Sequence, residues 1–219
     1  MIYRQNLTEL ASLCEIQTGY TARSRLEPAE SGTPTIQLRD LRGDEDYDPA
    51  TAPRFALGDG FDRYRAGAGD VLFRSRGAQN TAVAVAPESN SWAVAILPLL
   101  ILRPRRDLLD PRYLAWLINQ PTSQRYFDSC AYGQRLRMIP RPCLEELEVP
   151  LPDLRTQRLV VELDRLARRE SQLLNKLAEK KRVVTSLVLL EQMRQASPVD
   201  RSNRMFGPGK KATSKGLPS

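Results

Sequence analysis

The sequence contains no histidine. That absence removes imidazole general-base catalysis, Ser-His-Asp and Cys-His nucleophile pairs, and most mixed zinc sites. Cysteine is scarce: Cys14, Cys130 and Cys143 are an odd number with no close pair in sequence. They point to a reducing, cytoplasmic compartment and to no zinc knuckle. Long apolar runs are missing too. Met1 to Leu10 holds none, so no signal peptide is expected. The most apolar stretch, Ala93 to Leu102, is too short to span a bilayer and is broken by Pro98. It reads as one or two buried strands, and no membrane partner is expected. A phosphate loop is also absent: Gly58-Asp59-Gly60 and Gly67-Ala68-Gly69 lack the required strand, spacing and Lys.

Three short patterns imitate chemistry without the spacing it needs. Asp44, Glu45, Asp46 and Asp48 bring carboxylates together, but hard-cation loops need a more defined ligand order, and a solvated acidic loop is the plainer reading. Pro152-Asp153 followed by Glu179-Lys180-Lys181 resembles a nuclease signature only superficially, because residues strung along one helix cannot converge on one metal. Asn119-Gln120-Pro121 does not match the Asn-Pro-Pro-aromatic motif of amino-methyltransferases. The chain is expected not to be an enzyme, with no catalytic residue, no metal site and no cofactor of its own.

What is present is a medium-sized basic chain. Its 219 residues suit one domain plus an extension, and 41% hydrophobic content is enough for a core. The net charge of +7 fits either a polyanionic partner or a merely basic soluble protein. Part of that charge lies in Ser197 to Ser219, where Arg201, Arg204, Lys210, Lys211 and Lys215 face a single Asp200. This segment has no periodicity and reads as a disordered tail.

The fold class expected is α+β. Residues 1–152 form a mixed α/β domain of short strands and a few helices, residues 153–195 one long coiled-coil helix, and residues 196–219 the basic tail. Leu7 to Ile16 alternates loosely, Gln17 to Pro34 is polar with Gly19, Pro28 and Gly32, and Thr35 to Leu38 is a short strand candidate. Asp70-Val71-Leu72-Phe73, a polar turn and Thr81 to Ala86 read as a hairpin. Asp110-Pro111 is a helix start, with Asp as cap and Pro in the first turn. Pro121 opens a second short helix through Tyr126 and Phe127, and Glu146 to Leu151 is a further strand. Asp153 caps the long helix.

That helix carries an apolar ladder. Leu159, Leu163, Leu166, Leu173, Leu177, Val184 and Leu187 recur at alternating three- and four-residue steps, and the ladder also passes through Glu170, Lys180 and Glu191. Centred near Asn175, an antiparallel second copy pairs Leu163 with Leu187, Leu166 with Val184, Leu173 with Leu177, and Glu170 with Lys180. The ladder is self-complementary, which suits a two-fold contact between identical chains. The alternative is a leucine-rich helix packed on its own domain. The ladder's length, its charged outer positions and the break at Pro150 and Pro152 favour a helix that protrudes.

The chain resembles a known family in an ordered set of segments. These are Leu7-Thr8-Glu9-Leu10-Ala11, then Gly19-Tyr20-Thr21, Gln37-Leu38-Arg39-Asp40-Leu41, and Gly69-Asp70-Val71-Leu72-Phe73-Arg74-Ser75-Arg76-Gly77. The turn Gly133 to Pro140 follows, and then Leu147 to Val160, which contains Pro152-Asp153-Leu154-Arg155-Thr156-Gln157. Together they resemble the DNA specificity (S) subunit of type I restriction-modification systems, in a half-length form with one target recognition domain and one spacer helix. Full S subunits of the family carry two of each. The resemblance therefore implies that two copies read an interrupted, inverted site in double-stranded DNA. It also implies docking to a DNA methyltransferase (modification) subunit that supplies the S-adenosylmethionine chemistry. A restriction subunit is optional.

Three polar sets offer the donors and acceptors that base edges and phosphates need. They are Arg74, Ser75, Arg76, Gln79 and Asn80 in the hairpin loop; Gln134, Arg135 and Arg137; and Thr21, Arg23, Arg25, Gln37 and Arg39. Each is otherwise an ordinary solvated turn. Gly77 and Gly133 have a structural part, permitting a tight backbone. A second function class stays open: a protein-interaction or regulatory module of the same fold that binds a partner protein instead of DNA.

Overall fold

A computed structural model of the chain describes residues 7–22, 25–41, 46–77, 80–133 and 137–196. Strand β1 (Leu7–Glu9), the short helix α1 (Leu10–Leu13) and β2 (Cys14–Thr18) open the chain. Strands β3 (Pro28–Ile36), β4 (Arg54–Phe55), β5 (Arg65–Gly67), β6 (Val71–Arg74), β7 (Ala82–Ala84), β8 (Trp92–Ala95) and β9 (Leu99–Pro104) follow. Helices α2 (Pro111–Ile118), α3 (Pro121–Cys130) and α4 (Arg141–Glu145) precede β10 (Glu148–Pro150) and the long α5 (Leu154–Gln195). The α+β class is as expected.

Among the described residues there are two four-stranded sheets, ordered β2-β9-β6-β7 and β4-β3-β8-β5, and a two-stranded pairing of β1 with β10. Alternation along β6 and β9 explains how the layers stack. Val71, Phe73, Leu100 and Leu102 face a core shared with the helices α1 to α4. Leu72, Leu99 and Ile101 face the other way, against Ile36, Ala66, Ala93 and Ala95 of the second sheet. A strand buried on both faces reads as an unbroken apolar run. The stretch Ala93 to Leu102 is accordingly two strands, β8 and β9, joined by a turn containing a cis Leu97–Pro98 bond. No helix among the described residues is long and apolar enough to cross a membrane.

Local signals set the helix starts. Asp110 accepts from the backbone N–H groups of Arg112 and Tyr113, with Pro111 in the first turn. Asp153 accepts from both the N–H and the hydroxyl of Thr156. Asn119, just past α2, accepts from Ala82 N–H and donates to Ala82 C=O, both at 2.8 Å, and so acts as a strand partner for the edge of β7.

Three readings are corrected. The strand expected at Thr35 to Leu38 is the end of a longer one, because β3 begins at Pro28 within the polar stretch, closes at Ile36, and pairs antiparallel with β4 and parallel with β8. Leu7 to Ile16 is two strands flanking a helical turn, so its loose alternation mixes two periods. Cys130 and Cys143 form a disulfide with Cα atoms 6.3 Å apart, because the chain returns from α3 to α4 and sets both cysteines on one core. Cys14 alone remains a free thiol, its pKa pushed up to about 12 by burial.

The chain divides into two compact units, Met1–Ala167 and Arg168–Ser219. Every apolar position of the ladder is at least half exposed, from Leu159 at 58% to Leu187 at 60%. Residues 197–219, most of the expected tail, lie outside the described residues.

Candidate nucleic-acid interface

One end of the two sheets gathers most of the polar residues singled out in the sequence. The β8–β9 turn stands at its centre. Leu97 N–H donates to Tyr20 C=O, and Ser75 N–H donates to Pro98 C=O. Ile96 N–H donates to Ile36 C=O, which brings the end of β3, and Gln37 after it, to the same turn. Beyond β6, Arg76 pairs with Met138 and Met138 with Tyr132 in isolated bridges, so the Tyr132–Met138 ribbon adds itself beside the hairpin. Gly77 N–H donates to Arg137 C=O, and Ile139 N–H to Ser75 C=O. The positive φ of Gly77 (134°) and Gly133 (92°) is a backbone that favours glycine at both places.

The candidates gathered there differ in what they can do. Arg76 is exposed, and its guanidinium lies 3.4 Å from the sulfur of Met138. Arg74 and Gln37 are half-buried, and the Arg74 Nε and Gln37 Nε2 donors meet no acceptor among the described residues. A buried donor without a partner is uncommon in a folded chain. Arg65 Nε likewise meets no acceptor among the described residues, and its guanidinium lies 3.9 Å over the Trp92 ring. Thr21 is exposed next to Tyr20. Arg39 is exposed and pairs at 3.9 Å with Asp40, which itself caps the turn by accepting from Gln37 N–H. Outside this group, Arg25 is exposed in the segment before β3.

Three candidates have partners within the chain. Ser75 is buried, and its hydroxyl donates to Pro98 C=O at 2.6 Å. Asn80 is buried, donates to Arg74 C=O, and is held through its own carbonyl by Gln124. Arg137 is half-buried and paired with Asp128 on α3. The polarity of Ser75 and Asn80 serves the turn because a tight crossing of three segments leaves backbone groups that need partners. Arg23, Gln79, Gln134 and Arg135 lie outside the described residues, as do Asp44 and Glu45.

Of the acidic cluster, Asp46 pairs with Arg112 at 2.6 Å, and Asp48 accepts from Ala50 N–H and from the Ser89 hydroxyl. Among the described residues no group of three His, Cys, Asp or Glu side chains is placed to hold a metal ion. Sequence reasoning missed Tyr132 and Met138. Both are exposed, and both flank the Gly133–Arg137 loop at the positions that close it.

No protein-family model matches this chain, and no curated protein does. Solved structures do. The HsdS subunit from Thermoanaerobacter tengcongensis is 24% identical over 77% of this chain and 38% of its own, with a TM-score of 0.56. A chain of a type I R-M system, solved for its complex assembly and conformational transition, is 23% identical over 83% of this chain and 43% of its own, with a TM-score of 0.59. The S subunit of a type I restriction-modification system from M. genitalium is 16% identical over 83% of this chain, with a TM-score of 0.48. This chain therefore has the S-subunit fold and spans about two fifths of the length of the first two structures, 38% and 43%.

Proposed function

We propose that the chain is a sequence-specific DNA recognition subunit of a type I-like restriction-modification complex, without catalytic activity of its own. The observation that carries this reading is the grouping, on an S-subunit fold, of Gln37, Arg74 and Arg76 at one sheet end. Arg76 is exposed there, with Gln37 and Arg74 half-buried beside it. Arg and Gln are the side chains whose paired donors and acceptors match base edges in the major groove. The net charge of +7 supplies the sequence-independent attraction to phosphate.

The long helix supports the second half of the proposal. Its exposed ladder is self-complementary in the antiparallel sense, so two copies would join with their reading ends apart and inverted. Such a homodimer reads two identical half-sites in opposite orientation across a fixed gap. Apolar residues also flank the ladder at Leu174, Val183, Val188 and Leu190, each at least half exposed. That is more apolar surface than a two-helix seam covers, and it suits helices of a DNA methyltransferase subunit packing around the pair. S-adenosylmethionine would be held by that partner. A restriction subunit is an optional addition.

The test is co-purification with a methyltransferase encoded beside this chain, followed by mapping of methylated sites. An inverted, interrupted consensus supports recognition and pairing together. Methylation without any consensus overturns the recognition role, and a strictly asymmetric consensus overturns the homodimer.

A further inference from the structure

Among the described residues outside α5, the exposed large hydrophobics are Leu7, Leu97, Tyr132 and Met138. Three of these four sit at the sheet end that carries Gln37, Arg74 and Arg76. Tyr132 and Met138 exchange backbone hydrogen bonds of 3.1 and 3.0 Å, and Met138 is in turn the antiparallel bridge partner of Arg76. Residues directly opposed in antiparallel strands project to the same face. Arg76, Met138 and Tyr132 therefore form one row across three segments. Alternation settles which way the row points. Arg137 pairs with Asp128 and Ile139 is buried, while Met138 between them is 38% exposed and Tyr132 is 66% exposed.

Large apolar side chains grouped on a surface mark a contact. A purely apolar partner would strip water from the exposed Arg76 guanidinium without giving it an acceptor, at a cost in free energy. The major groove of duplex DNA answers both needs, because it displays acceptors and the thymine C5 methyl side by side. We infer that the Arg76–Met138–Tyr132 row reads thymine. Met138 and Tyr132 pack on the C5 methyl, and Arg76 places its guanidinium on the neighbouring acceptors. This rests on the DNA-reading role proposed above and names part of what that role reads.

The experiment first selects target duplexes from a random library with the full-length chain. Each thymine of the selected target is then replaced by uracil, which removes only the methyl group. Burying one such carbon strengthens binding about fourfold, so wild-type affinity falls about fourfold at each contacted thymine. Tyr132→Ala and Met138→Ala lose that discrimination and bind thymine and uracil duplexes alike. Both side chains are exposed, and an unchanged unfolding midpoint in each variant certifies the fold. A selected target without thymine, a wild type indifferent to uracil at every position, or variants that keep the full preference overturn the inference and leave DNA reading standing. If the library yields no target, the DNA-reading role itself fails, and the inference falls with it.

Discussion

The backbone N–H of Asp110 donates to the side-chain oxygen of Gln157 across 2.8 Å. Gln157 is fully buried, and its amide nitrogen donates to Leu108 C=O at 2.8 Å and to Pro152 C=O at 2.7 Å. One side chain thus ties the start of α2, the loop before it and the first turn of α5 together. Removing it leaves three backbone groups without partners. Gln157→Ala is expected to lower stability by about 3 kcal/mol, summing roughly 1 kcal/mol for each lost bond. Urea unfolding measures it, and a change within about 0.5 kcal/mol, typical of surface sites, contradicts the locking role.

Arg76 and Arg137 make opposite forecasts although they lie near each other. Arg76 is exposed at the interface, while Arg137 is engaged by Asp128. Arg76→Ala is expected to weaken binding to a selected duplex by about tenfold to a hundredfold while leaving the unfolding midpoint unchanged. Arg137→Ala is expected to shift the midpoint and to change DNA affinity less. Fluorescence anisotropy beside thermal unfolding separates the two, and equal affinity losses with unchanged midpoints would contradict the assignment.

The polar layer of the helix gives a charge-reversal forecast. In the antiparallel pairing Glu170 meets Lys180 of the second copy twice, once on each side of the two-fold axis. Glu170→Lys is expected to weaken self-association by about tenfold, since two attractive pairs become repulsive. Adding Lys180→Glu restores it. Sedimentation across a concentration series measures this, and an unaffected single variant contradicts the register.

Asp70 carries a pH dependence. Its carboxyl is pushed above the usual carboxylate range by burial, against the pull of Gly67 N–H and the Arg103 charge. A carboxyl raised in the folded state favours folding while protonated, and this contribution is lost as pH rises through the raised value. Asp70→Asn keeps an acceptor for Gly67 N–H without the charge. The variant is expected to gain stability relative to wild type as pH rises from acidic toward neutral. Denaturant midpoints at several pH values decide it, and a relative gain by wild type over that range contradicts the reading.

Features written in neighbouring residues were legible in the sequence. The caps at Asp110 and Asp153, the proline starts of α2 and α3, and the β6–β7 hairpin each depend on contacts within a few residues. Only the end of β3 was legible, as the Thr35 to Leu38 candidate, because the order of its polar start comes from β4, which lies far along the chain. The Cys130–Cys143 pairing was hidden for the same reason. At the candidate interface, composition pointed to turns that the fold groups at one sheet end, but not to which side chains face outward. Ser75 and Asn80 look like ligand donors in sequence, yet a crossing of three segments turns them inward to satisfy backbone groups. Tyr132 and Met138 left one signal, an aromatic and a thioether placed symmetrically about a Gly-containing basic loop.

The central claim is that two copies of this chain read inverted half-sites in duplex DNA. Selection of random duplexes by the purified full-length chain tests it most directly. The expected result is a consensus of two inverted half-sites at one fixed spacing, lost when Arg76 is replaced by alanine. Retention of duplexes that follows salt concentration alone, with no sequence enriched, would contradict it.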